Sequence, residues 1–330
     1  MDLEEVYLED EDINLDNVNV KKELTIVYMG TPDFSATVLE GLLTKYKVRV
    51  VVSQPDRPVG RNGEVRPTPV KEVANNHTIL TLQPEKIRTD YQSILEFEPD
   101  LIITCAYGQI IPDELLNAPR LGCINVHASL LPKLRGGAPI HRCILEGHSK
   151  TGITIMYMSS KMDAGDIITQ REIDIDYEDT AESLHDKLSI LGRDLLLETL
   201  PSIIDGTNTR TPQDESQVTF GYNIKREDEL IDFSRTTREI YNKVRGLYSW
   251  PGAYTTIDGK ILKVWKTRES LTTYPNLFDG QITNIYLDGF GVKTSNGEII
   301  LTEVQPEGKK RMSGRDFVNG NKDLVGKMLR

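Results

Sequence analysis

Between Gly122 and Asp166 two short apolar runs flank a loop that cannot be regular, and these runs constrain the fold more than any other stretch. The first ends in Asn125-Val126-His127, so an amide and an imidazole alternate onto one face of an extended strand. Pro132 and the adjacent Gly136-Gly137 then force a loop. The second run, Gly152 to Met158, precedes a turn carrying Asp163. An amide, an imidazole and a carboxylate therefore stand at or just beyond strand ends, and open α/β sheets bind and react at the carboxyl ends of parallel strands. Singly, each has a plain structural reading: a histidine near a strand end is usually a satisfied structural residue, and an aspartate in such a turn usually shapes it. Their conjunction carries the weight.

The start of the chain agrees with an α/β class. Leu24 to Met29 is rich in β-formers, a Gly-Thr-Pro-Asp turn follows, and Phe34, Val38, Leu39, Leu42 and Leu43 then share a helical face. Gly30 stands without the further glycines of G-x-G-x-x-G, which disfavours a nicotinamide enzyme. Val48 to Ser53 and Leu101 to Ala106 read as further strands, with a short helix over Thr89 to Phe97. Thr180 to Ile204 reads as a long helix whose Leu184, Leu188, Leu191, Leu195 and Leu200 cover a sheet face. The expected fold is a Rossmann-like, doubly wound catalytic domain over 23–206. A polar linker over 207–219 and a second domain over 220–330 follow, two domains being the default for 330 residues.

Eight of the eleven net negative charges fall in Met1 to Val20, which has no Lys or Arg. Residues 1–22 are therefore expected to form a disordered acidic extension; a displaced start codon and a partner-binding tail both fit it. An acidic start is unlike a signal peptide, and no run approaches the ~20 apolar residues of a membrane span. With Cys105, Cys123 and Cys143 in or beside apolar segments at no metal-ligand spacing, the expectation is a cytoplasmic protein with buried thiols and no metal.

The second domain is different in kind. Thr236 and Glu239 form a possible capping box for a helix bearing Ile240, Val244 and Leu247. Short β-rich runs follow at 254–257, 261–265, 280–286, 291–293 and 299–304, a spacing that suggests a small OB-like barrel. From Arg210 to Arg330 there are 19 basic and 16 acidic residues, a positive balance on an otherwise acidic chain. Such a module can follow a phosphate backbone, densest at Lys309-Lys310-Arg311, although three adjacent charges also suit a solvated turn.

The run Asn125-Val-His127-Ala-Ser129-Leu130-Leu131-Pro132, with Asp163-Ala-Gly165-Asp166 after it, resembles the hallmark of the folate-dependent formyltransferases at every marked position. The loop Gln54 to Lys71, whose four prolines and two glycines argue against helix or central strand, resembles a segment of the branch that acts on methionyl-tRNA. The segments around Trp250-Pro251, Lys263-Val264-Trp265 and the basic turn resemble that branch's tRNA-binding domain. The resemblance runs from about Leu24 to the chain's end. It implies transfer of a formyl group from 10-formyltetrahydrofolate to the amino group of initiator methionyl-tRNA by a monomer, with Asn125, His127 and Asp163 catalytic. It also implies folate contacts from Ser129, Leu130, Leu131 and Pro132, a pterin-pocket wall from Tyr107 to Pro112, and Arg61 at the acceptor end of the tRNA. Two positions depart from the pattern: Gly63 and Glu64 stand where basic residues are common, and Leu134 where an aromatic residue is common. Within the family, an amine such as a nucleotide sugar is the alternative acceptor, which would need neither the long loop nor a basic barrel. A non-enzymatic RNA-binding relic would show erosion at the three catalytic positions, which are intact. Deleting Met1 to Val20 should leave melting temperature and formylation nearly unchanged; a fall of several degrees would show that the extension docks on the body.

Overall fold

The computed structural model describes residues 24–59 and 63–330, so the acidic extension and Arg61 lie outside the described residues. The strands in chain order are β1 (Ile26–Gly30), β2 (Val48–Val52), β3 (Arg57–Val59), β4 (Glu64–Arg66), β5 (Thr81–Leu82), β6 (Leu101–Cys105), β7 (Cys123–His127), β8 (Lys150–Tyr157) and β9 (Ile167–Asp174). Seven of them form one sheet in the order β5-β2-β1-β6-β7-β8-β9. From β5 to β7 all pairings are parallel. The strands there read as nearly unbroken apolar runs because both faces are covered: β1 and β6 are buried along their whole length. The chain builds outward from β1 to β5, then returns to lay β6 on the other side of β1, which opens a crevice at the carboxyl ends of β1 and β6.

The doubly wound expectation holds for those five strands and is corrected for the other two. β8 runs antiparallel to β7, and β9 antiparallel to β8. Strand β9 has no counterpart in the sequence reading because its residues alternate in burial around charged Arg171 and Glu172, as on a sheet edge. The long loop is also corrected. β3 and β4 make a two-stranded hairpin, and helix Pro69–Asn76 takes up the loop's end. Pro69 does not prevent that helix, since its ring sits at the start where no N–H is needed, and the Thr68 hydroxyl caps it. The helix expected over 89–97 shrinks to Gln92–Leu95.

Helices Asp33–Leu43 and Ala181–Ile204 pack on one face, with Phe34, Val38, Leu42, Leu184, Leu188, Leu195 and Leu200 in one core. A second cluster, including Ile87, Ile94, Ile111 and Leu115, covers the other face.

The second sheet is antiparallel: β10 (Ala253–Ile257), β11 (Lys260–Ser270), β12 (Ile282–Ile285), β13 (Phe290–Thr294), β14 (Gly297–Pro306) and β15 (Met312–Ser313). Its path is β10-β11-β14-β13-β12, with β15 on β14. The final residues bond to both ends of that path. Thr256 and Arg330 exchange backbone hydrogen bonds beside β10, while the Leu329 N–H donates to the Gly280 carbonyl just before β12. Helix Thr237–Gly246 begins with the expected capping box, Thr236 and Glu239 each accepting the other's N–H. It packs against helix Pro139–Leu145 of the first half, and Arg245 donates to the carbonyl of Asp179 at 2.7 Å. The two halves therefore meet beside the loop that follows β7.

Candidate active site

A cavity of about 660 Å³ opens at the crevice. Its walls are the turn after β1 (Pro32, Phe34), the segment after β6 (Ala106 to Ile111), the end of β7, the Gly136–His141 bend, and the Met158–Asp163 loop. The first two walls are laced together: Thr31 Oγ1 and Gln54 Nε2 both donate to the Tyr107 carbonyl, and Gln109 Nε2 donates to Gln54 Oε1. This bears on the expectation for Tyr107 to Pro112, since five of those six residues face the cavity.

Asn125 sits directly across from Thr104 in the β6–β7 register. Its Oδ1 lies 2.9 Å from the Thr104 hydroxyl, whose one hydrogen also has the Ile124 carbonyl at 3.0 Å, and Nδ2 is a donor with no protein acceptor among the described residues. His127 is buried, and its two nitrogens have different partners. Nε2 lies 3.1 Å from the Leu134 carbonyl; a carbonyl only accepts, so in the neutral ring the proton is on Nε2 and Nδ1 carries the lone pair. Nδ1 lies 3.8 Å from Asp163 Oδ1, too long for a hydrogen bond but suited to a charge pair. The other oxygen, Oδ2, accepts from the Gly136 N–H at 2.8 Å. Gly136 is glycine for a reason: its φ is +116° and a Cβ there would press on the Gly221 carbonyl at 3.1 Å.

One expectation changes. The antiparallel pairing sends the end of β8 toward the beginning of β7, so Asp163 does not extend from a parallel strand's carboxyl end; the loop from Met158 to Asp166 carries it to His127. The tautomer of His127 is held by the Leu134 backbone, not by Asp163.

Ser129, Leu130, Leu131 and Pro132 are absent from the cavity wall. They form the shelf beneath it. Ser129 Oγ donates to the Lys133 carbonyl at 2.6 Å, the Leu131 N–H donates to Thr154 Oγ1, and Leu130 packs over Gly152. The shelf delivers the chain to Leu134, where φ of +57° aims the carbonyl at His127. Sequence reasoning missed this contact because a backbone carbonyl has no residue type. It also missed His141 and His185, which line the cavity. His141 Nδ1 pairs with the Gly246 carbonyl of the second half at 3.0 Å, and burial pushes its pKa below the ordinary histidine range.

None of the cysteines is set up as a nucleophile. All three are buried and free, and burial pushes Cys105 and Cys143 up to about 12 and Cys123 higher still. What the cavity offers is an uncharged donor, a basic nitrogen and a carboxylate behind it. Such a set suits acyl transfer to an amine, where negative charge grows on one oxygen and one proton must move.

Among the described residues no helix is long and apolar enough to cross a membrane. Residues 22–200 match the family model described as Formyl transferase, and residues 223–322 the one described as Formyl transferase, C-terminal domain. A methionyl-tRNA formyltransferase of Bacillus cereus (strain G9842) is 54% identical over 93% of this chain and 98% of that protein. One of Bacillus mycoides (strain KBAB4) is 53% identical over the same shares. Among solved structures, the sugar 3N-formyl transferase WlaRD, crystallised with dTDP and 5-N-formyl-THF, aligns with a TM-score of 0.64 at 21% identity over 87% of this chain and 99% of that one. HypX from Aquifex aeolicus in complex with tetrahydrofolic acid aligns at 0.60 and 16% identity, over 93% of this chain and 51% of that one. The structural matches share the fold, whereas the curated relatives share more than half their residues along nearly their full length. The chain belongs to the methionyl-tRNA formyltransferase family.

Proposed function

We propose that this protein transfers the formyl group of 10-formyltetrahydrofolate to the amino group of initiator methionyl-tRNA. The observation that carries the reading is Asn125, His127 and Asp163 meeting in one cavity of a chain 54% identical to enzymes of that name. The sugar-modifying structures share the fold at 21% identity or so, which gives a sugar amine no comparable support.

The residues present fit the folate donor. Among the described residues Asn125 Nδ2 and His127 Nδ1 have no protein hydrogen-bond partner, both residues line the cavity, and Phe34, Ile110, Ile111 and Met158 give it apolar walls. The donor supplies the formyl carbon and, at N10, the leaving nitrogen. Asn125 Nδ2 meets the formyl oxygen as negative charge grows there. His127 Nδ1 takes the proton that the methionyl amine loses as its nitrogen bonds to the formyl carbon. Asp163 faces that nitrogen and stabilises the imidazolium. His127 then returns the proton to the nitrogen released as the old carbon–nitrogen bond breaks, so protons balance with no external acid. Ser129, Leu130, Leu131 and Pro132, the folate contacts that the family resemblance implies, also form the shelf that sets Leu134.

For the tRNA, we take the antiparallel second sheet as an OB-like module, a reading supported by the bonds of Leu329 and Arg330 to residues at both ends of its path. Arg311 stacks 3.5 Å over Trp265, and Lys309 and Lys310 are exposed beside it, a basic and aromatic surface suited to phosphate contact. In sequence Arg61 falls between β3 and β4, and the segment carrying those strands is anchored where Lys71 Nζ meets Asp56 and Gln83. Its role is to place the acceptor end, while the barrel supplies less specific affinity.

Incubating enzyme, 10-formyltetrahydrofolate and methionyl-charged initiator tRNA should yield formylmethionine, and a charged elongator tRNA should yield far less; equal formylation of both, or of a nucleotide sugar amine alone, would contradict the reading. His127→Ala should lose most turnover with little change in folate affinity. Asn125→Ala should fall roughly a hundredfold or more, as for loss of one oxyanion donor. Asp163→Asn should keep the fold yet shift the pH–rate profile, and a profile matching wild type would remove the carboxylate from the mechanism.

Single-turnover rates and binding at several salt concentrations separate the two tRNA elements. Arg61→Ala should slow the step from saturating tRNA, because small misplacements of the amine are costly. Neutralising Lys309, Lys310 and Arg311 should weaken binding and lower its salt slope by about one unit per lost phosphate contact. The opposite pattern would reverse the assignments.

A further inference from the structure

The polar stretch expected as a linker is built into the back of the active site. We propose that Gln213 is a positioning residue for formyl transfer: its side-chain amide holds the Asp163 loop in the one conformation that puts the carboxylate opposite His127. The inference rests on the catalytic reading given above.

The amide has no freedom of orientation. Gln213 Oε1 accepts from Arg135 Nε at 3.0 Å and from Arg135 Nη2 at 2.8 Å. A guanidinium only donates, so the oxygen must face it and the two hydrogens of Nε2 must face away. Both find carbonyls, Asp163 O and Gly165 O, each at 2.8 Å. Arg135 is itself fixed. It is only 4% exposed, its other edge meets Glu215 at 2.8 Å, and a buried guanidinium left unpaired would be costly.

What the amide grips is a loop that needs gripping. Asp163 lies in the left-handed region at φ +48°, which a non-glycine residue occupies at some cost. Holding the carbonyls of Asp163 and Gly165 from outside fixes the backbone on both sides of Ala164. Only then do Oδ2 on the Gly136 N–H and Oδ1 opposite His127 coincide.

The same stretch reaches the other partner of His127. Thr219 Oγ1 accepts from the Leu134 N–H at 2.9 Å, and the Thr219 carbonyl accepts from the Arg135 N–H at 2.9 Å. Neither Gln213 nor Thr219 lines the cavity. One piece of chain thus templates both contacts of the catalytic imidazole without touching a substrate.

The test uses full-length Gln213→Ala and Gln213→Glu, with two readouts. The first is protection of the Gly136 amide from hydrogen exchange by NMR, which needs no activity. Both variants should lose it, because the hydrogen bond from that amide ends on Asp163; retained protection in both would overturn the proposal. The second is kinetic. Gln213→Ala should lower kcat roughly ten- to hundredfold with the KM for the folate within about twofold. Gln213→Glu keeps an acceptor for Arg135 but has no hydrogens for the two carbonyls, so it should be impaired as severely as alanine. Wild-type behaviour in Gln213→Glu would mean the residue merely ties the linker to Arg135. In an Asp163→Asn background Gln213→Ala should cost little more, since both changes remove one interaction; a fully multiplicative loss would contradict action through Asp163. Should the chain formylate no methionyl-tRNA at all, the function would fail while the Gly136 readout still decided the role of Gln213.

Discussion

The hydrogen bond from His127 Nε2 to the Leu134 carbonyl is the contact on which the rest of the site depends. It fixes the neutral tautomer, and by engaging one ring nitrogen it leaves the other as the basic one. Much of the surrounding chain maintains that contact. The Ser129–Lys133 turn closes on its own hydroxyl, Thr154 donates to the Ser129 carbonyl from β8, and Gln170 on β9 donates to the Leu131 carbonyl. The antiparallel strands added to a parallel sheet thereby support the catalytic loop.

The division of labour between carbonyl and carboxylate follows from electrostatics. A carbonyl is an adequate partner for a neutral N–H and asks for no charge in return. A carboxylate 3.8 Å from Nδ1 gains little while the ring is neutral and much once it is charged. At about 4 Å a pair of unit charges is worth roughly 1 kcal/mol in water and about 4 kcal/mol at an effective dielectric of 20. The partial burial of the site therefore favours the moment of proton uptake. Asn125 obeys the same economy on the opposite side, its oxygen beside the Thr104 hydroxyl and its N–H edge on offer.

The parts of this arrangement legible in the sequence are those encoded locally. The buried runs of β1 and β6, the periodic leucines of helix Ala181–Ile204 and the capping box at Thr236 each announce themselves within a few residues. So do Asn125 and His127, two apart on one strand. Asp163 was legible as a residue but not as a position, because antiparallel pairing of β8 changes where its loop departs. The Leu134 carbonyl left no trace because backbone atoms carry no side-chain signature. Gln213 was hidden in a polar run that reads as linker, 50 residues from the carbonyl of Asp163 that it holds. Pro69 concealed a helix by looking like a breaker, when it stands at the one place a helix accepts it.

The backbone at Leu134 leaves Nδ1 of His127 as the base that faces Asp163. Nitrogen-15 NMR of the histidine side chains, at a pH where the imidazoles are neutral, tests it most directly. The resonances of His127 should report a proton on Nε2 and an unprotonated Nδ1. A ring protonated on Nδ1 would place the base on the other nitrogen, facing a carbonyl that cannot give or take a proton, and would contradict it.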